Sequence, residues 1–281
     1  MTIAPSSGLP AGEARRRARR RGRAFTIGAS IGLRTYIALA AAGFGLFLVI
    51  WVAVRVLNLA PLMLLPGPAE VLSRLSKLAA DGTLWGDIAA SVWRIMVGFL
   101  IATALAIPIG VLIGTYRLAE AFIEPFVDFV RYMPVVGFVP LTIVWLGVDD
   151  AQKFAIVFIG TFFQEVLLIM DNTKRVPMEL VNIGRTLGLR ERWILVRIVV
   201  PSAAPLIWDT LRISLGWAWT WVVLAELVAA TSGLGYRITI AQRYFNIDTI
   251  IGYLIVLGIL GLITDQSMKA IGRTVFRWAE R

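Results

Sequence analysis

Long apolar runs separated by short polar segments make up most of this chain. Runs near 36–57, 88–115, 132–148, 152–172, 205–229 and 248–270 approach the roughly 20 apolar residues that carry a helix across a bilayer. The pattern predicts an all-α integral membrane protein with six transmembrane helices. Between the first two runs, PGPAEVLSRLSKLAADG (66–82) places Val71, Leu72, Leu75 and Leu78 at helical spacing ahead of Gly82. That spacing predicts an amphipathic helix lying on a surface. RLAEAFIEPFVDFVR (117–131) reads as a short interfacial connection before the third span, broken at Pro125 and again by Pro134.

The segment NIGRTLGLRERWILVRIVVP (182–201) interrupts the apolar pattern with Arg185, Arg190, Arg192 and Arg197, and with glycines at 184 and 188. VPMELVNIGRTLGL reads as a short helix with Pro177 in its first turn and Met178, Leu180, Val181, Ile183 and Leu187 on a broad apolar face. Gly188 falls where a helix ends in a left-handed turn. RERWILVRIVV predicts a second helix, after which Pro201 and Pro205 open the fifth span. A basic helix pair hinged on glycine reads either as an interfacial element or as a docking knob for a soluble partner.

Composition agrees with the membrane reading. Of 281 residues, 58% are hydrophobic and only 16% charged, against about 25% charged in ordinary soluble chains. The mean hydropathy is +0.77. Cysteine and histidine are both absent, which removes disulfides, thiolate and imidazole metal sites and the commonest general base. An integral membrane enzyme would need a convergent acid–base or metal set, and only scattered carboxylates are left. A phosphate-binding loop of the form G-x-x-x-x-G-K-[ST] is excluded, because none of Lys77, Lys153, Lys174 and Lys269 follows a glycine. No cofactor is expected.

Net charge is +10, and its placement predicts orientation. RRRARRRGR (15–23), Arg117, Lys174, Arg175, the four arginines of 182–201, Lys269, Arg273, Arg277 and Arg281 share one side. Both termini are therefore expected in the cytoplasm, with membrane lipid rather than nucleic acid as the partner of the basic tail. The organisation is then a basic tail (1–35) and a membrane domain (36–277) with a cytoplasmic loop at about 174–201. The N-terminal apolar run is too long for a removable signal peptide, and no clear cleavage site follows it.

Charges inside spans are costly and usually face a cavity or a partner. Glu165 and Arg212 fall at matching depth, roughly 10 Å from the cytoplasmic surface, which predicts that they pair. Arg94 and Glu226 fall toward the outer end. Asp209, Arg212, Thr220 and Glu226 lie within about 120° on one helix. The stripe reads as structural ion pairing or as the polar lining of a translocation path. Trp208, Trp217, Trp219 and Trp221 cluster on the same helix, for packing or interfacial anchoring, with substrate stacking as the alternative. Gly110 and Gly114 suggest close helix packing. SGLGY (232–236) reads as an external turn, or as a contact for an external binding protein.

Several blocks are recognisable. Permease subunits of ABC importers carry a cytoplasmic loop of the pattern E-A-A-x3-G-x9-I-x-L-P. The corresponding positions here are Asn182, Ile183, Gly184, Gly188, Ile198, Val200 and Pro201. Glycine, isoleucine and proline match; Asn182 and Val200 replace the glutamate and leucine. LPGPAEVL, SVWRIMVGF, RYMPVVGFVPL, GRTLGLRERWILVRIVVPSAAPLI, LRISLGWAWTWVVLAEL and SGLGYRI follow in order. Over about 60–275 the chain resembles the nitrate/sulfonate/taurine group of these permeases.

The resemblance implies a type I importer fold in the cell inner membrane. It implies two permease copies, two ATPase subunits and an external substrate-binding protein that delivers a small anion. It assigns ATPase coupling to Asn182, Ile183, Gly184, Arg185, Thr186, Leu187, Gly188, Ile198 and Pro201. Glu165, Arg212, Thr220, Glu226, Arg94, Trp217 and Trp221 are the candidates for the translocation path. A stand-alone secondary transporter or channel for anions is the alternative, although no internal repeat of the kind many such folds carry is visible.

Overall fold

The structure is a computed structural model; it describes residues 32–59, 61 and 64–279. The arginine-rich stretch at 15–23 lies outside those residues. All regular structure among the described residues is helical. The chain divides into two units at residues 62 and 63. The first contributes α1 (Leu33–Val56), an apolar helix in which no residue is buried.

The second unit begins with α2 (Pro68–Ala80), the predicted amphipathic helix, which buries Val71 and Leu78. It stops where expected: Gly82 takes φ +83°, and the Asp81 carboxylate accepts the Thr83 amide at 2.9 Å to start α3 (Thr83–Thr115). Next come α4 (Arg117–Arg131), α5 (Val135–Leu146), α6 (Asp150–Lys174), α7 (Met178–Thr186), α8 (Glu191–Ala229), α9 (Leu234–Arg243) and α10 (Ile247–Val275).

Five helices (α1, α3, α6, α8 and α10) are long and apolar enough to cross a membrane. The predicted third span, 132–148, falls on α5, and because α3 and α6 run parallel the chain must cross back between them. α5 has 12 residues, about 18 Å at 1.5 Å per residue, against a hydrocarbon core of about 30 Å. It joins α4 at a 94° bend, and the two together form a broken sixth segment. Pro134 causes the break by ending the helical run at Tyr132. Pro125 does not break α4, contrary to expectation. Ala121, whose carbonyl it leaves without a helical donor, is exposed and can be solvated instead.

The core is the parallel pair α3 and α6. Gly98, Ala102, Ala106, Gly110 and Gly114 recur every fourth residue along α3 and form a smooth strip that admits the α6 backbone. A Cβ at Gly98 would sit 2.8 Å from that of Val157, one at Gly110 2.7 Å from that of Ile169, and one at Gly114 2.7 Å from that of Thr173. Without a hydrophobic drive between helices in lipid, such close approach supplies the packing energy. The sequence marked Gly110 and Gly114; the strip extends to Gly98.

Replacing Gly110 with valine should destabilise the purified protein by about 1–3 kcal/mol through overpacking. Gly216, where an added Cβ would meet nothing within 4 Å, is the control. Thermal unfolding of Gly110→Val and Gly216→Ala checks this, and equal midpoints would show that the α3–α6 contact does not depend on close packing.

Candidate functional site: the coupling segment and the buried polar clusters

α7 and the start of α8 form the predicted helix pair. Pro177 stands one position ahead of α7, as its cap, rather than in its first turn. Val181 meets Ile194 and Val199 in a small apolar core of its own. Gly184 is buried in the same seam, where a Cβ would lie 2.7 Å from Ile198 Cδ1 and 3.2 Å from Ile194 Cγ1. α7 ends in a left-handed turn at Gly188, φ +74°. The Gly188 amide donates to the Arg185 carbonyl at 2.9 Å and the Leu189 amide to the Gly184 carbonyl at 3.1 Å. These are the paired bonds of a Schellman stop. Arg185 reaches across the turn to Glu191 at 2.9 Å; both are well exposed, so the pair adds little stability. The Thr186 hydroxyl donates to the Asn182 carbonyl.

The spacing of the loop pattern thus has a steric reading. Position 184 must be small because Ile198 occupies the space beside it. Position 188 needs positive φ, which glycine adopts without cost.

The second helix does not stop before the fifth span. α8 is one run of 39 residues, about 58 Å long, so one end must extend past the hydrocarbon core. Leu195–Val199 adopt a π turn, in which the Val200 amide donates to the Leu195 carbonyl. Pro201 explains the location. It has no N–H for the Arg197 carbonyl and its ring would crowd that carbonyl, and a wider turn relieves both. Arg192 and Arg197 both lie over the Trp193 ring, at 5.6 and 4.6 Å.

The other face of α7 has no partner among the described residues. Ile183 and Leu187 are 55% and 75% exposed. With Glu179, Asn182 and Thr186 they line a shallow hollow of about 400 Å³.

At the opposite end of α8 the buried charges are collected. Glu226, 1% exposed, accepts Arg94 Nη1 at 2.8 Å, the Ser91 hydroxyl at 2.8 Å and the Gly235 amide at 2.9 Å. Asp87 accepts the Gly233 amide, Arg237 Nε and the Tyr253 hydroxyl at 3.1, 2.8 and 2.9 Å. Arg94 also holds Asp150 at 2.7 Å and the Ser232 carbonyl at 2.6 Å. Beside them Lys153 donates to the carbonyls of Val148 and Asp149. SGLG is therefore the start of α9, with its free amides turned onto buried side-chain oxygens. Gly233, at φ +110°, leaves no room for a side chain between Glu226 and Arg94. Sequence reasoning found Arg94 and Glu226 but missed Asp87, Ser91, Asp150, Arg237 and Tyr253. The signal was available in part: Asp87, Ser91 and Arg94 share one face of a span at i, i+4, i+7.

The expected Glu165–Arg212 pair does not form. Glu165, fully buried, accepts the hydroxyls of Ser214 at 2.6 Å and Thr103 at 3.2 Å. Arg212 pairs with Asp265 on α10 at 3.1 Å and with Asp209 at 3.5 Å. Matching depth was not enough: Asp209 and Asp265 lie closer to Arg212, while Glu165 finds its donors on α3 and α8.

The polar stripe on α8 also divides. Asp209 and Thr220 are exposed, Arg212 is half-buried and Glu226 is enclosed. Two tryptophans are fixed by α10, Trp208 through the Met268 carbonyl and Trp219 through the Thr264 hydroxyl. Trp217 is half-buried. Trp221 lies against Gly160, and its buried indole N–H has no acceptor among the described residues.

Residues 106–277 match the family described as binding-protein-dependent transport system inner membrane component. The chain belongs to this family. It is therefore a multi-pass inner-membrane permease component, which sets aside the stand-alone transporter and the membrane enzyme. A probable ABC transporter permease protein of Brucella abortus is 43% identical over 219 residues, 78% of this chain and 88% of that protein. The taurine transport system permease protein TauC of Escherichia coli is 29% identical over 82% of this chain and 86% of its own length. The resemblance to the nitrate/sulfonate/taurine group stands with it. Among solved structures, the permease shares its fold with a chain of the inward-facing MetNI methionine ABC transporter. The TM-score is 0.59 and the identity 20%, covering 69% of this chain and 96% of that one.

Removing Arg94 from this permease should leave Glu226 buried without its cation, a loss of about 3–5 kcal/mol. Arg94→Gln with Glu226→Gln should recover part of it. Unfolding midpoints of both single variants and the double check the pairing, which fails if the double is as unstable as the sum of the singles.

Proposed function

We propose that this permease is the membrane subunit of an ATP-driven importer, two copies of it assembling with two ATPase subunits. In this reading α7 is the element that docks on the ATPase, and its side of the membrane is the cytoplasm. The observation that carries the reading is the two-sidedness of α7. One face is filled by Ile194 and Ile198 of the same chain, while Ile183 and Leu187 border an open hollow. Lys174, Arg175, Arg185, Arg190, Arg192 and Arg197 gather around the segment, which supports the cytoplasmic assignment.

The substrate in this proposal is a small anion of the nitrate or sulfonate type, delivered by an external binding protein. The taurine permease relative supports the class. Arg212 is a poor anion trap, because an anion would have to displace Asp265. Trp221, with its unused N–H, remains a path candidate. Selection is thereby left mainly to the external protein.

Gly188→Val tests the coupling role, because a β-branched residue is strongly disfavoured at positive φ. Uptake and substrate-stimulated ATPase activity should fall together, with membrane insertion unchanged. Normal coupling in that variant would place the docking element elsewhere.

A further inference from the structure

A second concavity, about 510 Å³, lies where α3 and α6 end beside the coupling segment. Its walls include Tyr116, Arg117, Glu120, Lys174, Arg185 and Glu191. Three cations face two carboxylates there. Both carboxylates are taken, Glu120 by Lys174 at 2.8 Å and Glu191 by Arg185 at 2.9 Å. Arg117 makes no hydrogen bond or ion pair among the described residues, acting on Glu120 only through its field, so the cations of the cavity outnumber its carboxylates by one.

Next to Arg117, α4 turns an apolar ridge outward. Leu118 and Phe122 are 89% and 85% exposed, and Phe126 and Phe129 continue the ridge at helical spacing. The inward face is separately occupied: Val127 is buried, with Ala119 and Ile123 packed on the core. α4 is thus apolar on two sides, which one packing partner does not explain. A ridge of this kind beginning at an unpaired cation, at the ends of membrane helices, matches one chemistry. It fits a diacyl phospholipid whose phosphate carries net negative charge.

We propose that this cavity binds the headgroup of an anionic phospholipid, with the phosphate on Arg117 and the acyl chains along Leu118 and Phe122. The proposal rests on the cytoplasmic assignment of α7 made above. The occupant is a lipid rather than a second copy of the chain because the surplus charge lies at the end of the spans, where an anionic leaflet supplies its complement. The cavity also touches Arg185 and Glu191, so a lipid seated there ties the coupling segment to the α3–α4 corner.

Native mass spectrometry of the purified full chain, given equal amounts of phosphatidylglycerol and phosphatidylcholine, provides the test. Phosphatidylglycerol should be retained in preference, and Arg117→Gln should reduce that preference about fivefold, the contribution of one basic side chain at an anionic surface. Phe122→Gln should lower retention of both lipids. Equal retention of the two lipids by the unaltered chain, or an unchanged preference in Arg117→Gln, overturns the site. Displacement of the lipid by inorganic phosphate also overturns it, in favour of a soluble anion. Should Arg117→Gln fail to fold, the lipid preference of the unaltered chain and the loss in Phe122→Gln still decide. Retention is read on the permease alone, so failure of an ATPase to co-purify counts against the coupling reading and leaves this one standing.

Discussion

A charge removed from water must be met by a fixed partner, and one guanidinium meets that requirement for much of this permease. Arg94 gathers Glu226, Asp150 and the Ser232 carbonyl from three separate elements onto one side chain. Asp87 does the converse, one carboxylate receiving donors from the SGLG turn, α9 and α10. Deleting one partner leaves another stranded in low dielectric, which costs more than the pair itself contributes. The two clusters therefore specify how α3, α6, α8, α9 and α10 meet at that end, where apolar packing alone would tolerate sliding.

α8 connects this locked end to the other end of the molecule. It runs without a break from Glu191, beside the glycine turn, past Glu226. The π turn at Leu195–Val199 accommodates Pro201 and keeps the helix continuous. At its far end the helix does not stand alone. Ile194 and Ile198 seat α7 through the space left by Gly184, and Gly188 fixes the angle at which α7 leaves. A helix pair held by its own small core has a shape independent of any partner. That is what a docking element requires if it is to transmit displacement rather than absorb it.

The sequence made some of this legible and hid the rest for identifiable reasons. Five spans, the α2 helix and the Gly188 turn follow from periodicity and glycine placement, which are local properties. The third span was legible as an apolar run, but hydropathy does not register how short α5 is or the 94° bend that joins it to α4. Pro125 misled because α4 runs on through it with the Ala121 carbonyl exposed to solvation, which the residue type alone does not reveal. Glu165 and Arg212 share a depth, but pairing depends on azimuth and on the rival carboxylates Asp209 and Asp265, which no linear reading ranks. SGLG read as a loose turn because its partners, Asp87, Ser91 and Glu226, come from distant helices. Gly184 was visible as a motif position, yet its reason, the Ile198 side chain, needed the fold.

The proposed coupling role requires α7 to be the face presented to an ATPase subunit. The chain contains no cysteine, so a single introduced thiol reports from one place. A photoreactive maleimide on Leu187→Cys, in the assembled complex, should cross-link to the ATPase subunit on illumination. The same reagent on Gln242→Cys, exposed near the end of α9, should not. Cross-linking from position 242 with none from position 187 would contradict both the orientation and the role given to the coupling segment.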